Sequence, residues 1–141
     1  MTHSADIVYR VNYPISSQQF IDLLSNTSLG ERRPLADADR IARMLKHASL
    51  TVTAWQGETL VGVARSVTDF TFCCYLSDLA VSEKVQQGGI GKALIAETCR
   101  QLDDGCRLIL VAAPLAEGYY PKIGMDRHHS AWTVKAGEFS A

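Results

Sequence analysis

Apolar residues in the first third of the chain follow a helical period in two places. Phe20, Ile21 and Leu24 come directly after Ser16 and Gln19, which are spaced as the two polar positions of a capping box, so a helix is predicted to begin just after Ser16. A second helix is predicted from position 38, where the apolar residues keep a period of 3.6 residues. They are Ala38, Ile41, Ala42, Leu45 and Ala48.

The alternation of apolar and polar residues predicts strands elsewhere. A short strand is predicted over residues 7–11. Three more strands are predicted over residues 50–55, 60–67 and 71–81, with a hairpin turn at Gly57. The mixed pattern of residues 71–81 suits a sheet that is covered on both faces. Three consecutive antiparallel strands therefore form the centre of the predicted sheet.

The second half of the chain predicts a strand–loop–helix–strand unit. A glycine-rich loop at residues 86–91 precedes a helix, and an apolar run at residues 107–112 has the length of a buried strand that lies parallel to the strand before the loop. Such a crossover is right-handed. A short helix over residues 114–122 and a last strand over residues 131–134 complete the pattern. The predicted fold class is α+β, a mixed α/β arrangement in one domain, residues 1–141.

Composition narrows the class of protein. The chain has 141 residues, 47% hydrophobic and 21% charged, which is ordinary for one globular domain, and its net charge of −1 argues against a nucleic-acid partner. The sequence contains neither a run of about 18 apolar residues nor a leader-like apolar segment in residues 1–10. Its four cysteines have no CxxC spacing, so no metal site is predicted. We expect a soluble cytoplasmic protein with free thiols and no membrane partner.

The loop that begins at Gln86 carries the clearest chemical signal. It follows a strand and opens a helix, so several backbone N–H groups are left at the positive end of the helix dipole, where a pyrophosphate is the natural ligand. A Walker loop is excluded, because Gly91 and Lys92 are followed by Ala93. A dinucleotide fingerprint is excluded because the third glycine is missing. A glycine-rich turn that merely closes the loop remains the alternative.

The motif Q-x-x-G-x-G, filled by Gln86, Gly89 and Gly91, resembles that of the GNAT superfamily of acetyl-CoA-dependent acetyltransferases. The residues 79–81 read Leu-Ala-Val, as the preceding strand of that family does. The resemblance implies a mostly antiparallel central sheet, flanking helices, and a bulged strand that splays from its parallel neighbour, with acetyl-CoA in the wedge. The implied cofactor-binding residues are Leu79, Ala80, Val81, Gln86, Gln87, Gly88, Gly89, Ile90, Gly91 and Lys92.

A second match follows in residues 114–125. The family often reads A-x-x-F-Y-x-K-x-G-F there, and Ala116, Tyr120, Lys122 and Gly124 fit that pattern, while Tyr119 stands for the phenylalanine. In the family this tyrosine directs its hydroxyl at the coenzyme A sulfur, which implies that Tyr120 is catalytic. The alternative is an aromatic side chain that only packs on the sheet.

The general base is less defined by the sequence. An alkyl amine with a pKa of about 10.4 must lose a proton before it attacks a thioester. Asp69, Asp78 and Glu83 are candidate carboxylates, and Ser77 is a candidate anchor for a water molecule. None stands out, and a water relay is an equal candidate. A covalent route through Cys73 or its neighbour Cys74 is the less favoured alternative.

Acceptor recognition is expected from residues 26–37, which border the acceptor side of the cleft in the family. Arg32, Arg33 and Asp78 are the predicted substrate-binding residues, although surface arginines on a solvated loop are an equal interpretation. The predicted activity is transfer of an acetyl group to a primary amine of a small molecule. Acetylation of a protein N-terminus or lysine, a non-catalytic acyl-CoA sensor and a P-loop nucleotide binder are the alternatives. The last strand is a candidate contact for a homodimer.

Overall fold

A computed structural model describes residues 6–85 and 88–140 of the chain. The chain forms two compact units, residues 1–111 and 112–141. The single-domain organisation expected from the length of the chain stays a prediction. Among the described residues, the structure contains no helix with the length and apolarity that a membrane span requires.

The first unit contains one five-stranded sheet in which each strand pairs with the next along the chain. The first four strands are antiparallel, and the fifth runs parallel to the fourth. This order confirms the predicted mixed α+β fold with a parallel pair at one side. The strands are β1 (Ile7–Val11), β2 (Leu50–Gln56), β3 (Thr59–Thr68), β4 (Cys73–Val81) and β5 (Arg107–Ile109).

Three α-helices belong to this unit, and their starts follow from the sequence. They are α1 (Ser17–Ser25), α2 (Ala38–Lys46) and α3 (Ile90–Arg100). The predicted capping box begins α1: Ser16 Oγ accepts from the amide of Gln19 at 3.0 Å, and Gln19 Oε1 accepts from the amide of Ser16 at 2.8 Å. A 3₁₀ segment, Ser28–Arg32, lies between α1 and α2.

The helices cover the two faces of the sheet, and each face has its own core. On the first face, Phe20 and Leu24 of α1 and Ile41 of α2 are fully buried with Val63 of β3. Burying such a side chain contributes about 1.5–3 kcal/mol. On the second face, α3 covers an apolar cluster. Its members include Ile90, Leu94, Leu50, Val52, Ala64 and Leu76.

A glycine sets how closely α3 approaches the sheet. A Cβ atom on Gly62 of β3 would lie 3.1 Å from Leu94 Cδ1 and 3.3 Å from Ile90 Cγ2. Both contacts are tighter than ordinary van der Waals distances, so a larger residue would require these side chains to shift, and Gly62 allows α3 to pack closely on the sheet.

A β-bulge interrupts β4 near its middle. Ser66 pairs with Leu76 and Arg65 pairs with Asp78, so Ser77 is an extra residue without a direct partner on β3. The bulge reverses the alternation of side chains: Leu76 and Leu79 both pack on the α3 side although they are three residues apart. Asp78 consequently points to the opposite face.

The parallel ladder between β4 and β5 is short. It joins Cys73 to Arg107, Cys74 to Leu108 and Tyr75 to Ile109, and it ends there. Because β4 continues to Val81, its edge beyond Tyr75 has no strand partner on the β5 side within the described residues. The splayed strand pair expected from the resemblance is thus present in the structure.

The second unit contains one short helix, α4 (Tyr119–Lys122), and 3₁₀ turns at Pro114–Ala116 and Ala136–Glu138. The prediction of a strand over residues 131–134 is wrong, because the part of this unit that the structure describes has no strand. β-propensity depends on a neighbouring strand for its backbone hydrogen bonds, and these residues have none. The homodimer contact expected from that strand loses its basis.

Candidate functional site

The amide hydrogens at the start of α3 have no side-chain cap among the described residues. Gly89 is the N-cap residue, with φ of 86°, and its carbonyl accepts the first helical hydrogen bond from the amide of Ala93 at 3.0 Å. No side chain of the described residues caps this end. The first-turn N–H groups, at the positive end of the helix dipole, are therefore available to an anion.

Space is present at this loop as well. A Cβ atom built on Gly88 or Gly89 would meet no described atom within 4 Å. Ile90 is 2% exposed and packs in the core, so only its backbone is available to a ligand, whereas the side chain of Lys92 is exposed. Gln86 and Gln87, which the motif also predicts as cofactor contacts, lie outside the described residues.

The second part of the site is the unpaired edge of β4. In an antiparallel pair, alternate residues direct their N–H and C=O groups away from the partner strand. Beyond the bulge, some of the backbone N–H and C=O groups of Leu79, Ala80 and Val81 therefore face the edge of β4 that no longer pairs with β5. An extended ligand can add to such an edge as a strand would.

The turn between β4 and the glycine loop is fixed by residues that the motif does not contain. The amide of Lys84 donates to Ser82 Oγ at 3.2 Å, and the amide of Glu83 donates to the carbonyl of Asn26 at 3.0 Å. Asn26 is the C-cap of α1, so the turn is joined to that helix. The serine after the strand was a local signal for this turn, but Asn26 is brought to it by tertiary structure alone.

Two of the residues predicted to bind the acceptor substrate, Arg33 and Asp78, contact each other in the structure. Asp78 is fully buried, and its carboxylate accepts from Arg33 Nε at 2.5 Å and from Arg65 Nε. Arg33 and Asp78 are thus paired inside the chain, where a substrate contact was expected. Arg32 is exposed at the end of its 3₁₀ segment, and its contact with an acceptor stays a prediction.

The candidate bases have different surroundings. Asp69 Oδ1 accepts from the amides of Phe72 at 2.8 Å, Thr71 at 3.0 Å and Cys73 at 3.1 Å. These backbone hydrogen bonds, of which that from Phe72 has the largest effect, lower the pKa of Asp69. A carboxylate with a lowered pKa is a weaker base, so the structure favours a role in the turn. Glu83 is exposed, and its side chain has no hydrogen bond within the described residues.

The cysteines show no arrangement for covalent catalysis or metal binding. Cys74 is fully buried, and Cys73 is exposed at the end of β4 away from the glycine loop. Burial raises the pKa of the Cys99 and Cys106 thiols, which disfavours their thiolates. In the described part of the chain, no group of three cysteine, histidine or acidic side chains is placed to hold a metal ion.

Tyr120 belongs to the second unit and lies on α4. Its ring packs edge to face against Tyr119, with centroids 5.3 Å apart and an interplanar angle of 74°. Burial raises the pKa of Tyr120, and the neighbouring Tyr119 adds to the rise. Gly124 follows with φ of 94°, which explains the glycine of the motif, since the chain turns there in a left-handed conformation.

A bulged strand that parts from its parallel neighbour, followed by a helix with an uncapped glycine start, is the architecture of the GNAT acetyltransferases. The sequence agrees with this class, because the family model for the acetyltransferase (GNAT) domain matches residues 31–137. The chain belongs to the GNAT family of N-acetyltransferases, whose members use acetyl-CoA.

Solved structures share the fold at low sequence identity. A GNAT family protein of Streptococcus pneumoniae superimposes with a TM-score of 0.72 at 20% identity, covering 92% of this chain and 99% of that one. The aminoglycoside N-acetyltransferase AAC(6')-Iy, solved with CoA, has a TM-score of 0.67 at 16% identity over 96% and 97% of the two chains.

An aminoglycoside acetyltransferase from an uncultured soil metagenomic sample, solved with sisomicin, has a TM-score of 0.62 at 18% identity over 92% of this chain and 97% of that chain. Identities this low establish the fold and leave the substrate open. No curated protein sequence matches this chain.

Proposed function

We propose that this N-acetyltransferase moves an acetyl group from acetyl-CoA to a primary amine of a small molecule by direct attack on the thioester. The observation that carries the proposal is the pairing of an uncapped helix start at Gly89 with an unpaired edge of β4 beyond Tyr75. An anionic group and an extended arm on one ligand match these two features. Coenzyme A carries a pyrophosphate and a pantetheine arm joined in that way.

The backbone is the proposed cofactor site. The N–H groups of Gly88 to Lys92 hold the pyrophosphate, and the open space at Gly88 and Gly89 leaves room for it. The helix dipole contributes only about 0.3–1 kcal/mol, so the direct hydrogen bonds must supply most of the binding. The edge groups of Leu79 and Val81 hold the pantetheine arm as a neighbouring strand would.

Acetyl-CoA, when bound, supplies a thioester carbonyl for the amine to attack, and the leaving group is a thiolate. Tyr120 is the proposed donor to that sulfur, on the strength of its place in the motif. With ordinary pKa values of about 10 for a phenol and ~8.5 for a thiol, complete proton transfer is already uphill by roughly 2 kcal/mol. Because burial raises the pKa of Tyr120 further, we assign it hydrogen bonding to the developing thiolate, with proton transfer late.

The amine must lose a proton, which costs about 4–5 kcal/mol at neutral pH for an alkyl amine. Asp69 and Asp78 accept hydrogen bonds from backbone amides and guanidinium groups, respectively, and are poorly suited to this task. We therefore propose a water relay, with Glu83 as the carboxylate that remains exposed at the end of β4.

The acceptor is proposed to be a small amine because two structural neighbours are named as aminoglycoside acetyltransferases. Arg32 is the proposed contact for an acidic group on it. The experiment is a panel of small amines and of peptides with free N-termini or lysines, assayed for free-thiol release from acetyl-CoA. Release with small amines supports the proposal, whereas release with peptides alone contradicts it.

Calorimetric titration provides the complementary test. We expect acetyl-CoA to bind and ATP to bind at least tenfold more weakly, because ATP lacks the pantetheine arm. Tight ATP binding without acetyl-CoA binding would refute the proposed cofactor site. Binding of acetyl-CoA with no thiol release for any amine or peptide would identify a sensor.

A further inference from the structure

The extra residue of the β4 bulge is held from two directions by charged side chains. Arg33 Nη2 donates to the carbonyl of Ser77 at 2.7 Å, and Arg65 Nη2 donates to Ser77 Oγ at 3.0 Å. Both guanidinium groups also donate through Nε to the carboxylate of Asp78, the next residue. We call these four residues the bulge clamp.

The geometry of the clamp depends on the guanidinium fork. Each oxygen of Asp78 accepts from one Nε, which fixes the orientation of that fork and directs its outer nitrogen to Ser77. Arginine can donate in two directions from one rigid plane, and lysine cannot. Because Asp78 is fully buried, the ion pairs are little screened by solvent.

The clamp also joins elements that are distant in sequence. Arg33 follows the 3₁₀ segment between α1 and α2, 45 positions before Asp78. Arg65 lies on β3 and also donates through Nη1 to the carbonyl of Met44 in α2 at 3.3 Å. The two arginines therefore connect α2, and the segment between α1 and α2, to one point on β4.

That point is where β4 leaves β5. The last parallel pair is Tyr75 with Ile109, and the bulge begins two residues later. Without the bulge, the register of β4 against β3 would shift by one residue beyond Ser77. Every following residue would then turn to the other face, and its backbone groups would exchange sides.

We infer that Arg33 is a positioning residue for the cofactor arm. By holding the carbonyl of Ser77, it maintains the bulge that turns the backbone groups of Leu79 and Val81 toward the open side of the strand. The inference rests on the proposed function, in which those groups hold the pantetheine arm. The proposed pyrophosphate site at Gly89 lies at the start of α3, which none of the hydrogen bonds of the clamp contacts.

The test separates the two halves of the cofactor. We would titrate wild type and Arg33→Met with coenzyme A and with 3′-phosphoadenosine 5′-diphosphate, which is coenzyme A without its pantetheine arm. Arg33→Met leaves Asp78 paired with Arg65. We expect the affinity for coenzyme A to fall about tenfold, the effect of roughly one lost charged hydrogen bond, while the affinity for the fragment stays within about twofold.

A purely structural role for Arg33 predicts an equal loss for both ligands, and that result would overturn the inference. Unchanged coenzyme A affinity in Arg33→Met would overturn it too. Arg33→Lys, which keeps the charge but loses the second arm of the fork, is the milder variant should Arg33→Met not fold, and we expect about a threefold loss for coenzyme A alone.

Arg40→Met is the matched control, because Arg40 is an exposed arginine on α2 outside the clamp, and it should bind both ligands as wild type does. A wild-type chain that binds neither ligand refutes the proposed function and this inference with it. A wild-type chain that binds both, with Arg33→Met unchanged, refutes the role of Arg33 alone.

Discussion

Arg65 on β3 lies directly opposite Asp78 on β4, and the carboxylate of this pair is completely buried. Arg33 approaches the same carboxylate from outside the sheet, at 2.5 Å from its Nε. One carboxylate therefore forms ion pairs with two guanidinium groups. The arrangement depends on the carboxylate, since removal of the Asp78 charge leaves two guanidinium groups without a counter-charge.

Asp78→Asn should therefore be strongly destabilising. It keeps the shape of the side chain but leaves two guanidinium groups without a counter-charge, and the expected loss is about 3–5 kcal/mol. Urea unfolding followed by circular dichroism measures it as a lower midpoint. Asp104→Asn, at an exposed aspartate in a turn, is the control and should change the midpoint little. Equal midpoints for wild type and Asp78→Asn would show that the charge of Asp78 does not stabilise the fold.

Asp69 should make a contribution to stability that depends on pH. Its pKa is lowered in the folded chain by the backbone amides of Phe72, Cys73 and Thr71. The contribution is therefore present above the unfolded value of 3.8 and is lost as the pH falls through the lower folded value.

Calorimetric melting of wild type and Asp69→Ala from pH 7 to pH 2 tests this assignment. Asp69→Ala should melt below wild type at pH 7, and the difference should narrow below about pH 4. Asp104→Ala should melt with wild type throughout. A difference between wild type and Asp69→Ala that does not vary with pH would show that the carboxylate charge is not responsible.

Gly89 should be needed for cofactor binding because of its backbone conformation. With φ of 86°, Gly89→Ala places an L-residue in the left-handed region, at a cost of about 1–2 kcal/mol, and the loop can relieve that strain by moving its amides off the anion. We expect the affinity for acetyl-CoA to fall about tenfold or more in calorimetric titration. Gly89→Glu, which also introduces a negative charge, should abolish binding.

Gly57→Ala is the matched control for that strain. Gly57 has φ of 61° in the turn between β2 and β3, and a Cβ there also meets nothing within 4 Å. It should lower the melting temperature about as much as Gly89→Ala and leave the affinity for acetyl-CoA unchanged. Equal loss of affinity in both variants would mean that general destabilisation, rather than the loop, controls binding.

The elements that the sequence predicts well are those with local causes. The capping box at Ser16 and Gln19 begins α1 where expected, because both hydrogen bonds join residues three apart. The glycine loop is likewise placed by its own backbone requirements at Gly89. Local chemistry of this kind needs no knowledge of the rest of the chain.

Relationships between distant residues could not be predicted in the same way. The sequence predicts Arg33 and Asp78 as substrate-binding residues, yet nothing local indicates that they pair with each other, because 45 positions separate them. The strand expected at residues 131–134 failed for the same reason, since its pattern is adequate and its partner strand is absent from the described residues. Both the pairing of Arg33 with Asp78 and the conformation of residues 131–134 depend on tertiary contacts, which local sequence patterns do not show.

Tyr120→Phe is the variant that tests the chemistry, because it removes one hydroxyl and little else. Donation to a leaving thiolate is worth about 10²–10⁴ in rate, so kcat for thiol release should fall by that factor while the affinity for acetyl-CoA holds. Tyr119→Phe is the control, since it removes the hydroxyl of the adjacent ring, and its kcat should stay within about twofold of wild type. An unchanged kcat in Tyr120→Phe would remove this residue from the mechanism.

The pH profile gives an independent reading of the same hydroxyl. Burial raises the pKa of Tyr120 above its ordinary value of 10.0, and the hydroxyl can donate only while it is protonated. Activity that depends on Tyr120 should therefore persist through pH 9 and decline only as the pH rises through the raised value. In Tyr120→Phe this alkaline decline should vanish from the already low rate. If it remains, another group causes the decline, and the hydroxyl of Tyr120 does not donate to the leaving sulfur in the step that limits turnover.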